Sequence, residues 1–140
     1  MAFIRKTKGT EKKPTPIGIE TEAVTLIASA DMSYSQLINY LTAQDAYLAL
    51  EELERNSIKD LSNSNSISVL RSVYVEEKER GKGLAKEVIT EYLNSAKNDY
   101  YFLMVDIEES PTLIEFYKKF GFSVLSKDEY PIMFKNTAFE

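Results

Sequence analysis

Residues 73–85 read Val-Tyr-Val-Glu-Glu-Lys-Glu-Arg-Gly-Lys-Gly-Leu-Ala, and this stretch decides the fold of the chain. A β-branched strand runs into a charged bend with two glycines, and an amphipathic helix follows. Such a junction directs several backbone N–H groups and the positive end of a helix dipole at one point, which suits a phosphate group. Gly81 and Gly83 let the backbone approach a ligand closely and adopt a positive φ. Three basic residues add positive charge at the same point, namely Arg80, Lys82 and Lys86.

Composition limits both the class of protein and the chemistry open to it. A chain of 140 residues, with 44% hydrophobic and 28% charged residues, is expected to form a single soluble globular domain. The chain has no cysteine and no histidine, which excludes disulfides, thiolate zinc sites and a cysteine nucleophile and removes the commonest general base and metal ligand. We therefore expect no metal, and any catalysis must use carboxylates, tyrosine, lysine, backbone groups or the ligand itself.

Charge and hydropathy limit the partners. The net charge of −5 argues against nucleic acid as the main partner. No apolar run is long enough to span a membrane, and the N-terminus lacks the apolar region of a signal peptide. We therefore expect a cytoplasmic protein with no membrane partner, and the choice between a monomer and a homodimer is left open.

The N-terminal part of the chain divides into an arm and the start of a domain. Residues 1–16 are rich in lysine and end in two prolines, which predicts a basic arm that can be mobile. Residues 17–140 are expected to form the single domain. Residues 23–29 are apolar and β-branched, so they predict a strand, with a shorter strand before it.

A helical region and a linker follow. Ser33 and Gln36 form a capping-box pattern, which predicts that a helix begins there. Thr42 offers a second N-cap, so residues 33–56 are expected to form two helices that meet at an angle. Residues 56–66 are polar and rich in serine and asparagine, which is typical of a linker.

The glycine-containing motif lies inside a predicted βαβ unit. Residues 67–75 alternate in hydropathy, interrupted only by Arg71, and predict a strand. Residues 83–97 carry an apolar stripe at helical spacing. Residues 100–107 form a continuous apolar run, which is typical of a central parallel strand covered on both faces. We therefore expect an α/β fold in which the strands 67–75 and 100–107 are parallel neighbours joined by a right-handed crossover.

A further helix and a strand pair are predicted downstream. Ser110 followed by Pro111 is typical of a helix start, and Gly121 is typical of the left-handed residue that ends a helix. Apolar residues at i, i+3, i+4 and i+7 between them indicate a buried helix face. Residues 122–125 and 130–135 predict a final antiparallel pair.

Two motifs in this order resemble the signatures of the GNAT superfamily of acyl-CoA N-acyltransferases. Residues 80–85, Arg-Gly-Lys-Gly-Leu-Ala, fit its Arg/Gln-x-x-Gly-x-Gly/Ala signature. Residues 110–122, Ser-Pro-Thr-Leu-Ile-Glu-Phe-Tyr-Lys-Lys-Phe-Gly-Phe, resemble its second signature, in which a helix with a tyrosine leads into Gly-Phe. The resemblance implies a GNAT-like mixed, twisted sheet with flanking helices and a shortened upstream half. Its parallel strand pair would splay apart and open a cleft.

The same resemblance implies an N-acetyltransferase that moves an acetyl group from acetyl-CoA, its co-substrate, to an amine of a small molecule or protein. Backbone N–H groups of residues 81–85 would hold the CoA pyrophosphate, and residues 73–75 would bind the pantetheine arm as an added strand. The cofactor-binding residues implied in this way are Val73, Tyr74, Val75, Arg80, Gly81, Lys82, Gly83, Leu84, Ala85 and Ser110. A plain helix start with exposed lysines is the alternative interpretation of the glycine motif.

Catalysis would rest on Tyr117, which the resemblance implies is the acid that protonates the leaving CoA thiolate. A phenol with a pKa of about 10 can donate to a thiolate whose thiol has a pKa of about 8.5. Its place on an apolar helix face is also typical of a core tyrosine. The proton of the amine would pass to Glu76, Glu77, Asp106 or a water chain. A strand N–H group, that of Val73, would polarise the thioester carbonyl.

Departures from the family pattern keep a second function open. Ser110 stands where the family usually has asparagine, and Leu113 where it often has alanine. The family usually has a strand hairpin between its first helices and the motif strand, and residues 56–66 are too few to hold one. Either the hairpin is missing, or strands from residues 14–30 replace it. The alternative function is a non-catalytic module that binds CoA or a partner protein. If there is an acceptor, the acidic balance favours a cationic one.

Overall fold

A computed structural model of the chain describes residues 2–3, 16–21, 25–64, 66–75, 83–106 and 112–137. Within these residues, seven strands form one sheet and four α-helices lie against its two faces. The strands are β1 (Ala2–Phe3), β2 (Pro16–Thr21), β3 (Thr25–Met32), β4 (Ile67–Val75), β5 (Tyr100–Met104), β6 (Ser123–Ser126) and β7 (Ile132–Asn136). The helices are α1 (Tyr34–Ala43), α2 (Tyr47–Glu54), α3 (Leu84–Ala96) and α4 (Leu113–Lys118), with a short 3-10 helix at Leu61–Asn63.

The sheet is mixed, with the strand order β1-β2-β3-β4-β5-β7-β6. β4 and β5 are parallel neighbours, as the sequence predicted, and the other pairs in the described sheet are antiparallel. The final antiparallel pair, β6 with β7, is also confirmed, and β7 lies between β6 and β5. The α/β class and the parallel pair were therefore correctly predicted.

The β4–β5 pair ends before β4 does. Its register runs from Ile67 opposite Tyr100 to Leu70 opposite Leu103. β4 continues to Val75 and over those residues pairs with β3 alone among the described strands. We call the paired part, residues 67–70 with 100–103, the closed end, and residues 71–75 of β4 the open end. The backbone edge of the open end that faces away from β3 has no partner among the described strands.

The two helices predicted for residues 33–56 are present. The capping box at the start of α1 is confirmed, because Ser33 Oγ accepts from the Gln36 N–H group at 3.2 Å and Gln36 Oε1 accepts from the Ser33 N–H group at 2.9 Å. The N-cap predicted at Thr42 is wrong. Thr42 lies in the last turn of α1, where its hydroxyl donates to the Ile38 carbonyl at 2.8 Å, and α2 begins after Ala46.

Alternation along β4 separates two hydrophobic cores. Ile67 and Val69 pack with α1 and α2 on one face, which we call the α1–α2 face. Leu70 packs with α3 and α4 on the other, the α3–α4 face. The residues that α3 buries completely are Val88, Ile89 and Tyr92. A pair of helices thus covers each face, and the sheet lies between the two helix pairs.

Strands from the N-terminal region lie beside the motif strand. β2 and β3 form an antiparallel hairpin, and β3 pairs along the length of β4. This arrangement agrees with the alternative in which residues 14–30 supply the strands that the short linker cannot hold. β1 falls inside the predicted arm and pairs with Glu20 and Thr21 of β2. The division into an arm and a domain stays a prediction. In the described part of the chain, no helix combines the length and the hydropathy needed to cross a bilayer.

Candidate functional site

The start of α3 has the geometry of an anion site. Gly83 is the N-cap residue, with φ at +79°, and it is exposed. The first helical bond runs from the Glu87 N–H group to the Gly83 carbonyl at 3.0 Å. No side chain in the described ranges caps the helix, so the N–H groups of Leu84 and Ala85 have no capping partner there. With the positive end of a 13-residue helix dipole, these groups suit a bound phosphate.

The open end of β4 supplies a second element of the site. Its predicted cofactor residues pair with β3, in the order Val73 opposite Ile27, Tyr74 opposite Leu26 and Val75 opposite Thr25. Their other edge faces β5, whose register with β4 has ended at Leu103. An extended ligand could therefore add to this edge as a short strand.

Tyr117 lies in the core of the α3–α4 face. It is 8% exposed, and its ring makes edge contacts with Phe116 and Phe122 at centroid distances of 5.2 and 6.0 Å. The cluster also contains Leu70 and Leu103, the last pair of the closed end. Burial raises the pKa of Tyr117 to about 12, so the hydroxyl is neutral at physiological pH.

The end of α4 holds Tyr117 in this place. Gly121 adopts φ +91°, which confirms it as the left-handed residue that ends the helix. The Gly121 N–H group donates to Lys118 at 3.0 Å, and the Phe122 N–H group donates to the Tyr117 carbonyl at 3.4 Å. This turn brings the Phe122 ring back against the ring of Tyr117.

Several predicted residues lie outside the described part of the chain. They are the candidate bases Glu76 and Glu77 and the cofactor residues Arg80, Gly81, Lys82 and Ser110. The third candidate base, Asp106, is exposed and lies two residues beyond the end of β5. Among the residues that the structure describes, no group of three or more acidic side chains is placed to hold a metal ion.

One contact at the open end was not predicted from the sequence. The guanidinium of Arg71 lies over the ring of Tyr40, with 5.9 Å between its central carbon and the ring centroid. Arg71 is also the residue at which the β3–β4 register shifts, because Ala28 pairs with Ser72 and Ser29 with Leu70. It thus forms a β-bulge, a feature that often re-aims a side chain beside a functional site. The signal in the sequence was the interruption of an apolar strand face by one arginine.

Solved structures with the same fold are similar to this chain at low sequence identity. A protein from Pyrococcus horikoshii OT3 matches with a TM-score of 0.56 and 16% identity, over 86% of this chain and 64% of its own. A Klebsiella pneumoniae protein assigned as an acyl-CoA N-acyltransferase matches with a TM-score of 0.55 and 14% identity, over 90% of this chain and 74% of its own. An N-acetyltransferase from Staphylococcus aureus Mu50 matches with a TM-score of 0.52 and 21% identity, over 85% and 68%. This chain therefore spans less than two thirds of the Pyrococcus protein.

The family is shown by a comparison of the sequence with models of known families. None of the curated proteins matches the chain. A family model, described as the acetyltransferase (GNAT) domain, matches residues 18–131, which is well over half of the 140 residues. The match includes the open end, the start of α3 and Tyr117. The chain therefore belongs to the GNAT acetyltransferase family.

Proposed function

We propose that the protein transfers an acetyl group from acetyl-CoA to an amine. The observation that carries this proposal is that β4 runs five residues beyond its last pair with β5, and that the next helix, α3, begins at Gly83 with no side-chain cap among the described residues. A strand edge with no partner among the described strands, followed in the chain by a helix terminus suited to phosphate, would bind an extended ligand that carries a phosphate group. Membership of the GNAT family supports acyl transfer in general.

The cofactor would lie across these two elements. The N–H groups of residues 81–85 would bind the pyrophosphate, with Arg80 and Lys82 as counter-charges. The pantetheine arm would follow Val73–Val75 along the edge that faces β5. The thioester carbonyl would then lie near the Val73 N–H group, which would stabilise the negative charge that develops on its oxygen.

The chemistry would be a direct transfer in which the atoms balance. The nitrogen of the neutral amine attacks the thioester carbon, the C–S bond breaks, and an amide forms. The amine loses one proton to water or to Asp106, Glu76 or Glu77. The Tyr117 hydroxyl donates a proton to the sulfur and is later reprotonated by solvent.

The raised pKa of Tyr117 defines how it can act. A phenol with a pKa of about 12 transfers its proton to an ordinary thiolate, with a thiol pKa of about 8.5, at a cost of about 5 kcal/mol. The desolvation that raises the phenol pKa also raises the pKa of a thiol formed beside it, which decreases the difference between the two pKa values. Tyr117 would therefore stabilise the thiolate first by a hydrogen bond, and the proton would follow as the bond breaks.

One observation favours the second candidate, a module that binds CoA without catalysis. Tyr117 is almost wholly buried and makes aromatic contacts on two sides, which is what a core tyrosine does. In that case the same open end and helix start would hold CoA, and the hydroxyl would have no part in a reaction.

Acetyl-CoA itself separates the two functions. The protein is mixed with acetyl-CoA, with and without a pool of amines, and the free CoA thiol is followed over time. We expect thiol release that depends on an amine. Tight CoA binding by calorimetry without amine-dependent release would favour the binding module. No binding at all would contradict both.

A further inference from the structure

Arg71 is the most unusual residue of the open end. It lies directly after Leu70, the last residue of β4 that pairs with β5, and it forms the bulge against β3. Its neighbours on the same strand, Ile67 to Leu70, are 0–4% exposed, whereas Arg71 is exposed. A charge at this position interrupts a core strand where the parallel pair separates.

The side chain of Arg71 is oriented but not neutralised by the described residues. Tyr40 of α1 packs against the core of the α1–α2 face and offers its ring to the guanidinium at 5.9 Å. Such a cation–π contact limits the rotamers of the arginine and leaves its N–H groups free at the rim of the guanidinium. None of the ion pairs found among the described residues includes Arg71.

The two sides of the open end carry different groups. Tyr117 and the start of α3 belong to the α3–α4 face, whereas the Arg71 guanidinium reaches Tyr40 on the α1–α2 face. A thioester held between β4 and β5 would therefore have its sulfur near Tyr117, and the amine could approach from the side of Arg71. The strand rise puts the Cα atoms of Arg71 and Val73 about 6.6 Å apart, within the reach of an arginine side chain.

From this placement we infer that Arg71 binds a carboxylate of the acceptor, so that the amine substrate is of the amino-acid type. The inference rests on the proposed function, because it concerns the second substrate of the same site. A planar guanidinium binds a carboxylate through two parallel hydrogen bonds, which fixes both the position and the direction of the amine. Tyr40 acts as a positioning residue that holds the guanidinium for this contact.

The inference reverses the expectation of a cationic acceptor. That expectation came from the net charge of −5, which is a property of the whole chain. Recognition of a small substrate depends instead on the charges within a few ångströms of it, because exposed charges further than about 10 Å away are screened by salt. A zwitterionic amino acid fits these local charges, since its amine is the reacting group and its carboxylate faces Arg71.

Matched pairs of acceptors test this inference. Initial rates are measured at saturating acetyl-CoA with free amino acids and with their carboxamides, which keep the amine and lose the negative charge. We expect the wild-type protein to have a higher kcat/KM for the acid than for the amide. In Arg71→Gln, kcat/KM for the acid should fall about 10- to 100-fold, the usual range for loss of a charged hydrogen bond, and the amide should be little affected.

Three further variants sharpen the result. Arg71→Lys keeps the charge without the planar fork and should retain only part of the preference. Tyr40→Leu should raise KM for the acid with kcat nearly unchanged. Tyr40→Phe keeps the aromatic ring and should restore the wild-type KM. The matched control is Arg55→Gln. Arg55 is an exposed residue directly after α2, paired with Glu51 and Glu52 at 4.0 and 3.3 Å, and its substitution should leave the rates with both acceptors unaffected.

Three outcomes would contradict either the inference about Arg71 or the proposed function. An acid-to-amide preference that Arg71→Gln leaves unchanged overturns the inference and leaves the acetyltransferase intact. The same holds if phosphate-bearing amines, and not amino acids, depend on Arg71. Absence of transfer to every amine overturns the proposed function, and the inference falls with it.

Discussion

The closed and open ends of the β4–β5 pair differ in whether the protein itself supplies hydrogen-bond partners to their polar side chains. At the closed end, the Tyr92 hydroxyl is hydrogen-bonded to Ser68 inside the core. Tyr100 donates from its hydroxyl to the Lys59 carbonyl at 2.8 Å. The hydroxyl of Tyr101 accepts from the Asn98 N–H group at 2.8 Å. Three tyrosines that the fold buries are thus satisfied by the protein itself.

At Arg71 in the open end, at the start of α3 and at Tyr117, the polar groups have no such partners among the described residues. The start of α3 has no side-chain cap, Arg71 has only the face of Tyr40, and the hydroxyl of Tyr117 has no hydrogen bond to a described group. Structural polar groups in a core are normally hydrogen-bonded. Burial alone therefore does not distinguish a structural tyrosine from a functional one, and the lack of an internal partner is what favours the functional interpretation of Tyr117.

The largest expected effect is at the start of α3. Gly83→Asp should abolish acetyl-CoA binding, because the carboxylate would repel the phosphates and compete for the first-turn N–H groups. Calorimetry measures the affinity, and circular dichroism verifies the fold. Gly83→Ala is the control: a Cβ there meets no atom of the described residues within 4 Å, so it should keep most of the affinity and lose about 1 kcal/mol of stability to the positive φ. A folded Gly83→Asp protein with wild-type affinity would contradict the phosphate site.

The next effect compares two buried tyrosines, one without and one with a hydrogen-bond partner among the described residues. Tyr117→Phe should lower kcat by about 10²–10⁴-fold with little change in CoA affinity or melting temperature, because only the proton donor is lost. Tyr92→Phe should do the reverse, with kcat kept and about 1 kcal/mol of stability lost with the hydrogen bond to Ser68. Steady-state rates and thermal unfolding are measured for both. Normal turnover of Tyr117→Phe on a verified acceptor would make Tyr117 a packing residue.

The sequence predicted the features that local residues determine, and it did not predict those that depend on contacts between distant residues. Hydropathy periods and glycine positions predicted β4, α3, β5 and the end of α4 at Gly121, since each is set by local residues. The N-cap at Thr42 was wrong because a distant residue, Asp128, supplies the cap of α2 instead. Arg71 was noted only as an interruption, because its contact with Tyr40 joins positions 31 residues apart and depends on how α1 packs on the sheet.

A third effect concerns pH. Burial raises the pKa of both Tyr92 and Tyr117, the latter to about 12, while in the unfolded chain each titrates near about 10. Above pH 10 the unfolded state loses protons that the folded state keeps, so stability is complete below pH 10 and falls as pH rises through the folded pKa values. For Tyr117 alone, the difference between a folded pKa of about 12 and an unfolded pKa of about 10 corresponds to a loss of about 3 kcal/mol of unfolding free energy.

Urea unfolding at several pH values between 8 and 11.5 measures this loss. Tyr117→Phe should decrease the slope above pH 10, because one raised pKa is removed. The chain has no histidine, so we expect no histidine contribution to the pH dependence of stability near neutrality. An unfolding free energy that stays constant up to pH 11.5 would contradict the burial of these neutral hydroxyls.

The smallest effect compares two helix starts, one whose N–H groups have a side-chain partner in the protein and one whose N–H groups have none among the described residues. The first turn of α2 has no local side-chain cap at Ala46, but Asp128 reaches it from the β6–β7 connection. Its carboxylate accepts from the Leu48 N–H group at 2.8 Å and the Ala49 N–H group at 3.1 Å, and it is held by the Ser126 hydroxyl at 2.6 Å. The protein thus satisfies the start of α2 with its own carboxylate, while none of its described side chains does so at the start of α3.

Asp128→Ala should therefore lower the unfolding free energy by about 1–2 kcal/mol and leave acetyl-CoA affinity unchanged. Asp128→Asn, which can still accept one hydrogen bond from the helix start, should lose less. Thermal unfolding and calorimetry are measured side by side with the Gly83 variants. The two helix starts differ in role if stability depends on Asp128 and affinity on residue 83. If Asp128→Ala weakened CoA binding as strongly as Gly83→Asp, both helix starts would belong to one site, and the separation of structural from functional anion sites would be wrong.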